Sequence, residues 1–208
     1  MPLPLIYHDD YSPEFPAEHR FPMDKFRLLR DHLVDSGLTL DTELLRPQIC
    51  PNDILALAHD RGYIERYMQG ELSREDQRRL GLPWSEALAR RTVRAVGGSL
   101  LTAEMALEKG IACHLAGGTH HAHYDHPAGF CIFNDLAVIS RYLLEAGRVH
   151  RVLIFDCDVH QATAPHGSFT TPPTPSPCRC IANRIFLHVR PRATGTFPCL
   201  GAWATTPT

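Results

Sequence analysis

Two stretches decide the fold of this chain: GGTHHAHYDHPAGFCIFNDLAV at residues 117–138 and VLIFDCDVHQ at residues 152–161. The first contains two adjacent histidines, His120 and His121, just after a glycine pair. The second is a hydrophobic run that ends in Asp156, Asp158 and His160. Alternate residues of a strand point to the same side, so this strand end presents two carboxylates and an imidazole together. Carboxylate oxygens and imidazole nitrogens bind Zn²⁺, and neighbouring histidines can move protons, so the two stretches predict a metal hydrolase site.

Helical and strand-like segments alternate along the first 160 residues. Apolar periodicity and capping residues predict helices over residues 24–37, 54–59, 62–68, 85–109 and 134–146. Short apolar runs predict strands over residues 3–7, 111–116 and 152–156, the first of them at a sheet edge. Hydrophobic strands that alternate with helices indicate an α/β fold, a parallel sheet flanked by helices. Ligands bind at the carboxyl ends of strands in such sheets, and both clusters follow a predicted strand.

The longest predicted helix, over residues 85–109, contains an unusual glycine pair, Gly97 and Gly98. Glycine costs about 1 kcal/mol relative to alanine inside a helix. The pair therefore predicts a close packing contact against this helix.

Composition argues against several classes of function. The chain has 208 residues, of which 44% are hydrophobic and 21% charged, as in ordinary soluble domains. The formal net charge of −2 gives no electrostatic basis for binding nucleic acid or an anionic membrane. No apolar run approaches the ~20 residues that span a bilayer, and the N-terminus does not read as a secretory signal. The seven cysteines show no paired spacing in the first 160 residues, so we expect reduced thiols and a cytoplasmic protein.

The motifs resemble the zinc-dependent histone deacetylase family, within the arginase/deacetylase fold. The segment HRFPMDKF at residues 19–26 and the DVHQ ending at residues 158–161 look most like class IV and bacterial members. The resemblance implies an arginase/deacetylase-like α/β fold, a Zn²⁺ cofactor, and an acetylated lysine or acetylated amine as substrate. A guanidine hydrolase of the same fold, with a two-manganese site, is a less favoured alternative, because the histidine pair and GFCIFND argue against it.

The resemblance also implies a role for each residue of the two motifs. In that family the first histidine of the pair is buried beside an aspartate and the second is the general base, which implies these roles for His120 and His121. Asp158 and His160 correspond to two zinc ligands. Asp156 corresponds to a residue that supports the first histidine and binds a structural monovalent cation such as K⁺.

Other residues near the motifs have less specific roles. Gly129 and Phe130 match the wall of the family's acyl-lysine tunnel, and an aromatic wall suits an extended aliphatic chain. Three further histidines are expected at the surface or in support of the site rather than as ligands: His114, His123 and His126. His19 and Arg20 either shape the rim of the tunnel or are ordinary loop residues.

The resemblance extends from the N-terminus to about Gln161 and stops abruptly there, where the composition also changes. Residues 162–208 are rich in Pro, Thr and Cys and contain no Asp, Glu, Lys or Tyr. A low-complexity linker is one explanation. A shift of reading frame after the Gln161 codon is the other. If one G is missing after a CAG codon for Gln161, and Ala162–Pro165 are encoded by the permitted codons GCG ACG GCA CCG, the restored frame reads Gly-Asp-Gly-Thr, which resembles the family's continuation.

A frameshift at this point has consequences for function, because the family's third zinc ligand and its oxyanion-stabilising tyrosine lie beyond it. By family, the chain is a zinc-dependent deacetylase that hydrolyses an acetyl-lysine-like or acetyl-amine amide with metal-activated water and a histidine general base. The alternative for this particular 208-residue chain is a catalytically inactive, truncated fragment or pseudoenzyme. Residues 1–161 are then the N-terminal part of a deacetylase domain. Residues 162–208 are a frameshifted, disordered or non-native tail, which leaves the sheet incomplete on its C-terminal side.

Overall fold

A computed structural model of the chain describes residues 3–160 and the backbone of residues 188–189. The helices are α1 (Lys25–Asp35), α2 (Asn52–Leu55), α3 (Arg61–Gln69), α4 (Arg74–Leu80), α5 (Glu86–Lys109) and α6 (Asp135–Glu145). Short 3-10 turns occur at Asp9–Tyr11 and Asp41–Glu43. The strands are β1 (Leu5–Ile6), β2 (Cys113–His114), β3 (Val152–Leu153) and β4 (His188–Val189). The expectations for residues 162–208 lie outside the described residues, apart from the two residues of β4.

Side-chain caps set the ends of the two helices that frame the histidine motif. Ser85 accepts a hydrogen bond from Leu88 N–H (3.0 Å) at the start of α5, and Gly110 ends the helix with a left-handed φ of 87°. Asn134 accepts from Ala137 N–H (3.0 Å) at the start of α6. Both helices confirm the predicted ranges to within about one residue, because their capping residues are local signals.

Among the helices, α2 spans Asn52–Leu55 and not the predicted residues 54–59, and two further features differ from the sequence-based expectations. No helix was predicted over residues 73–79, but they lie largely within helix α4, which Ser73 caps through Asp76 N–H and Gly81 ends. Asp24 precedes α1 without making a side-chain cap, since its carboxylate lies 3.4 Å from Arg27 Nη2 instead. In both places the local sequence allowed more than one set of hydrogen-bond partners.

Strands β1 and β2 pair in parallel, with Leu5 opposite Cys113 and Ile6 opposite His114, which confirms the predicted parallel sheet. On its other side β1 is hydrogen-bonded to Leu45. Tyr7 N–H donates to Leu45 C=O (3.1 Å), and Leu45 N–H donates to Leu5 C=O (2.9 Å). The expectation that β1 is an edge strand is therefore wrong. A strand's own residues do not specify its neighbours, which depend on where the Leu45 segment lies in three dimensions.

The run 152–156 was expected to be a strand of the same parallel sheet, but within the part of the chain that the structure describes only Val152–Leu153 is paired, antiparallel to β4. Two of its apolar side chains, those of Val152 and Ile154, are nonetheless buried, whereas Leu153 is 44% exposed. Val152 and Ile154 pack with Leu143 of α6 and Ala103 of α5 in a second, smaller core. Burial of the run fixes the point at which Asp156 and the residues after it leave the core.

The glycine pair of α5 is a packing contact, as predicted. A Cβ atom at Gly97 would lie 1.9 Å from Gln48 O, and one at Gly98 would lie 2.1 Å from Tyr11 Oη. Helix α5 therefore packs directly against the N-terminal segments that flank the sheet. Among the described residues, no helix combines the length and apolar character needed to cross a membrane.

Candidate functional site

The histidine pair leaves the sheet through a tight glycine turn. Gly117 and Gly118 have left-handed φ values of 94° and 74°, a conformation that glycine adopts without strain. His120 N–H donates to Gly118 C=O (3.0 Å), so the turn closes directly under the pair. His120 is 7% exposed and His121 is half-buried, with ring centroids 4.1 Å apart and planes at 67°.

The structure joins the two motifs through His120 and Asp156. The Nδ1 atom of His120 hydrogen bonds with Oδ2 of Asp156. An ionised carboxylate only accepts, so Nδ1 carries the proton that it shares with Asp156. The other oxygen, Oδ1, accepts the backbone N–H of Asp158 (2.8 Å). Asp156 therefore orients the first histidine and also fixes the start of the Asp158–His160 segment.

Asp158 and His160 face one another at an open edge of the site. Asp158 Oδ1 accepts from His160 N–H (2.6 Å) and lies 2.9 Å from His160 Nδ1. The hydrogen bond from the His160 backbone holds the pKa of the Asp158 carboxyl below its usual value. Their side chains are 46% and 75% exposed. The His160 ring centroid lies 6.4 Å from that of His121, so the structure brings together all the residues of the two predicted clusters.

His121 has the electrostatics of a base that is neutral at physiological pH. Partial burial and the neighbouring His120 ring lower the pKa of His121, which favours its uncharged form. Gly129 packs against this ring, since a Cβ at Gly129 would lie 2.9 Å from His121 Cδ2. Gly129, expected as part of a tunnel wall, is thus also the residue that leaves room for His121.

Phe130 is held in a strained conformation at the same edge. Its φ of 66° is left-handed, which costs roughly 1–3 kcal/mol for a non-glycine residue and is found mostly at functional sites. Two hydrogen bonds to the end of α4 fix the backbone here. Gly129 N–H donates to Arg79 C=O (3.2 Å), and Phe130 N–H donates to Leu80 C=O (3.1 Å). Helix α4, which has no recognisable motif, therefore positions the Phe130 ring.

The Phe130 ring is covered by the loop that carries the HRFPMDKF segment. The Arg20 guanidinium lies 4.7 Å from the ring centroid, and the rings of His19 and Phe21 lie at 6.1 and 5.3 Å. His19 Nε2 also lies 2.9 Å from Gly81 O, just after α4. His19 and Arg20 thus contact the proposed tunnel wall directly, which supports their placement at its rim.

The donor types at the Asp158–His160 edge fit zinc, but their number is short. A hydrolytic zinc site uses three protein ligands and one open position. One carboxylate and one imidazole converge here. Within residues 3–160 no group of three or more His, Cys, Asp or Glu side chains is arranged to hold a metal ion. The fit is therefore partial, and a third ligand has to come from outside the described residues.

The other histidines of the region have structural contacts. His123 and His126 stack at 4.2 Å with planes at 14°, and His126 Nδ1 lies 2.7 Å from Asp125 Oδ1. His114 lies in β2 and bonds to Tyr11 and Ser99. The contacts described for these three histidines do not include Asp158 or His160, which agrees with their expected supporting or surface roles.

One supporting residue, His59, has no motif that could have revealed it. Its Nε2 accepts Asn134 N–H (2.8 Å) and its Nδ1–H donates to Tyr124 O (3.2 Å), which ties both ends of the segment after the histidine pair to the region before α3. Burial lowers the pKa of His59 to about 4, so the ring is neutral. A lone histidine after an apolar helix gives no sequence signal, because its two partners lie 65 and 75 residues away.

Comparison with solved structures identifies the fold. A histone deacetylase homologue complexed with SAHA superimposes with a TM-score of 0.66 at 24% identity, over 81% of this chain and 48% of that chain. A histone deacetylase homologue from Aquifex aeolicus gives the same values. The architecture is therefore the arginase/deacetylase fold, as the motifs indicated.

Sequence relatives are also only partly covered by this chain. An uncharacterised protein of a Picosynechococcus strain is 47% identical over 174 residues, 84% of this chain and 58% of the relative. The acetoin utilization protein AcuC of Staphylococcus aureus is 31% identical over 165 residues, 74% of this chain and 42% of that protein. The chain thus spans roughly half the length of these relatives.

The match to a family model extends over most of the chain. The histone deacetylase domain model matches residues 19–176, so the similarity continues about 15 residues past Gln161, and the expectation that the resemblance stops there is wrong. This range includes the loop over Phe130, the histidine pair and the Asp156–His160 segment, the same residues that the fold brings together. The chain belongs to the histone deacetylase family.

Proposed function

We propose that this chain carries the proton-transfer half of a zinc-dependent deacetylase site. The observation that carries the proposal is the contact between the two motifs. His120 hydrogen bonds with Asp156, His121 lies beside it, and the Asp158–His160 pair faces the same edge. In this proposal Asp158 and His160 are zinc ligands, and Asp156 supports His120 and binds a monovalent cation such as K⁺.

Each histidine has a distinct task in hydrolysis. His121, whose neutral form is favoured by its lowered pKa, accepts a proton from the attacking water. His120 keeps a proton on Nδ1, where Asp156 holds it, and stabilises charge that develops beside it. A zinc ion held by Asp158 and His160 would supply a Lewis acid for the amide carbonyl and would lower the pKa of water. The reaction class that follows is hydrolysis of an amide.

An acetylated lysine or acetylated amine is the substrate that this site suits best. Gly129 and Phe130 form one wall, with the Phe130 ring held by α4 and by the Arg20 loop. An aromatic ring suits the aliphatic chain of an acyl-lysine. Among the solved relatives, the complex with SAHA belongs to a protein of the same fold.

For the 208-residue chain itself we propose the alternative, that it is a catalytically inactive, truncated fragment. Two metal ligands are present, the described residues contain no group of three, and residues 162–208 contain no tyrosine to stabilise an oxyanion. Residues 1–161 are the N-terminal part of the deacetylase domain, and a frameshift after Gln161 accounts for the residues that follow.

Resequencing the DNA around the Gln161 codon tests the frameshift, and restoring the frame tests the function. We expect one missing base whose return opens a reading frame for a full-length protein. That protein should release acetate from an acetyl-lysine peptide, lose this activity with a chelator and regain it with Zn²⁺. A restored protein that is fully active after exhaustive chelation, with no bound metal, contradicts the zinc proposal.

A further inference from the structure

A chain of buried and partly buried hydrogen bonds runs beneath the histidine pair and is not used by the chemistry above. It joins Tyr11, His114 of β2, Ser99 of α5 and Asp135 of α6. Tyr11 Oη lies 2.7 Å from His114 Nε2, Ser99 Oγ lies 3.2 Å from His114 Nδ1, and Ser99 Oγ donates to Asp135 Oδ2 at 2.5 Å. Four separate elements therefore meet in one network.

The position of every proton in this chain follows from the carboxylate at its end. An ionised Asp135 only accepts, so the single Ser99 proton points to Asp135. Ser99 Oγ must then accept from His114 Nδ1–H, which leaves His114 Nε2 bare to accept from the Tyr11 hydroxyl. Burial lowers the pKa of His114, in agreement with the neutral ring that this pattern requires. Chains of hydrogen bonds oriented in one direction polarise and strengthen one another.

This arrangement is not a nucleophilic triad. Ser99 lies between the histidine and the aspartate, and its proton is already donated to the carboxylate. The residue is 5% exposed, so no substrate reaches its hydroxyl. The network therefore does not perform chemistry of its own.

Asp135 connects the network to the turn that carries the pair. Its carboxylate accepts Gly118 N–H (3.0 Å) and Thr119 N–H (2.8 Å). His120 N–H in turn donates to Gly118 C=O, so Gly118 is fixed at both of its polar groups. A Cβ at Gly117 would lie 2.6 Å from Asp135 Oδ2, which shows how closely the carboxylate packs under the turn.

We propose that Asp135, oriented by the donor chain Tyr11–His114–Ser99, is the positioning residue for the His120–His121 pair. It acts through the Gly117–Thr119 turn and does not touch the reacting atoms. This inference rests on the proposed function for its catalytic meaning, but the positioning itself does not depend on turnover.

Two mild substitutions in the 208-residue chain test the proposal by NMR. Ser99→Ala removes the donor to Asp135, and Tyr11→Phe removes one hydroxyl at the far end while the ring stays in place. Both should shift or broaden the signal of the His120 Nδ1 proton shared with Asp156. Both should also speed amide exchange at Gly118 and Thr119 by about 10-fold, the scale of one lost hydrogen bond.

Matched controls separate positioning from general loss of stability. Ser140→Ala removes a buried helical hydroxyl that bonds to Leu136 O, and Tyr67→Phe removes one that bonds to Thr92. Neither should move the His120 signal, even where it lowers the melting temperature as much as the test variants do.

The proposal is overturned if the His120 signal and the turn amides are unchanged in Tyr11→Phe and Ser99→Ala, or if the controls move them equally. If Ser99→Ala unfolds, Tyr11→Phe alone decides. An inactive restored enzyme would count against the proposed function, but it would leave this NMR result intact.

Discussion

His120 and Asp156 are distant in sequence, yet one hydrogen bond between them determines the proton positions of the site. The acceptor-only carboxylate fixes the tautomer of His120, and the same reasoning fixes His114 in the buried network. His121 differs, because its neutral state comes from burial and from the neighbouring ring. At the scale of single residues, the two adjacent histidines therefore have unequal roles.

Replacing His121 tests the general-base assignment in the restored, full-length protein. His121→Ala should lower turnover of an acetyl-lysine peptide by ~10²-fold or more, the scale of a positioned base. His123→Ala is the matched control, because His123 stacks on His126 outside the pair and should leave turnover nearly unchanged. Turnover of the His121→Ala protein close to that of the parent would remove His121 from this role.

Replacing either proposed zinc ligand tests the metal assignment in the same protein. Asp158→Ala and His160→Ala should each abolish stoichiometric zinc, because either change leaves too few of the three ligands that a hydrolytic site uses. Elemental analysis of dialysed protein measures this directly. Asp125→Ala, a change in a nearby carboxylate that bonds to His126, should keep one zinc per chain. One tightly held zinc in both ligand variants contradicts the assignment.

At the scale of elements, helix α5 shows how a local cost is offset by packing. Its glycines disfavour a helix, but they allow Gln48 and Tyr11 to approach closely. The ends of α5 and α6 were predictable because serine, asparagine and glycine act locally as caps. The partners of β1 and β3 were not, because hydrogen-bonded neighbours of a strand come from distant parts of the chain.

Alanine at the glycine pair should destabilise the protein, although alanine favours helices. Gly98→Ala places a methyl group 2.1 Å from Tyr11 Oη and 2.3 Å from His114 Nε2, so a loss of about 1–3 kcal/mol in unfolding free energy is expected. Gly97→Ala should cost at least as much, because it meets the Gln48 backbone. Denaturant unfolding measures both. Glu108→Ala, at the exposed end of α5, should change stability by less than about 0.5 kcal/mol, and an equal effect of all three would contradict the packing argument.

At the scale of the whole molecule, buried neutral histidines make folding sensitive to acid. Because the pKa of His59 is about 4 in the folded state and about 6.5 in an unfolded chain, the unfolded state binds more protons between these values. The contribution of His59 is thus complete above about pH 6.5 and is lost as the pH falls towards 4, by up to roughly 3 kcal/mol. Protonation of His59 also puts a hydrogen on Nε2, so this nitrogen can no longer accept the hydrogen bond from Asn134 N–H.

Glutamine at position 59 separates this residue from the other titrating groups. Gln can keep one acceptor for Asn134 and one donor for Tyr124 but does not titrate, so His59→Gln should flatten the fall in stability between pH 6.5 and 4. His150→Gln, at an exposed histidine, should leave the slope unchanged. Urea unfolding at a series of pH values provides the measurement, and an identical slope in the His59→Gln protein and the parent would show that His59 is not responsible.

The 208-residue chain as it stands should lack deacetylase activity. Asp158 and His160 are only two proposed metal ligands of the three that a hydrolytic site uses, and residues 162–208 contain no tyrosine for the oxyanion, a contribution of ~10²–10³ in rate. The assay uses purified chain with added Zn²⁺ and an acetyl-lysine peptide. The His121→Ala version of the same chain is the control. Turnover above that control would mean that residues after Gln161 complete a site.

The sequence by itself determined the family, the ends of α5 and α6 and the residues of both motifs, because glycine turns, caps and alternating ligand positions are local signals. It also placed the glycine pair of α5 in a packing contact. Only the tertiary structure decided which strands pair, that α4 and the Arg20 loop hold Phe130, and that His59 and Asp135 secure the segment carrying the histidine pair. These features depend on partners far apart in the chain, and a single buried histidine or aspartate has no pattern that announces its partner before the chain folds.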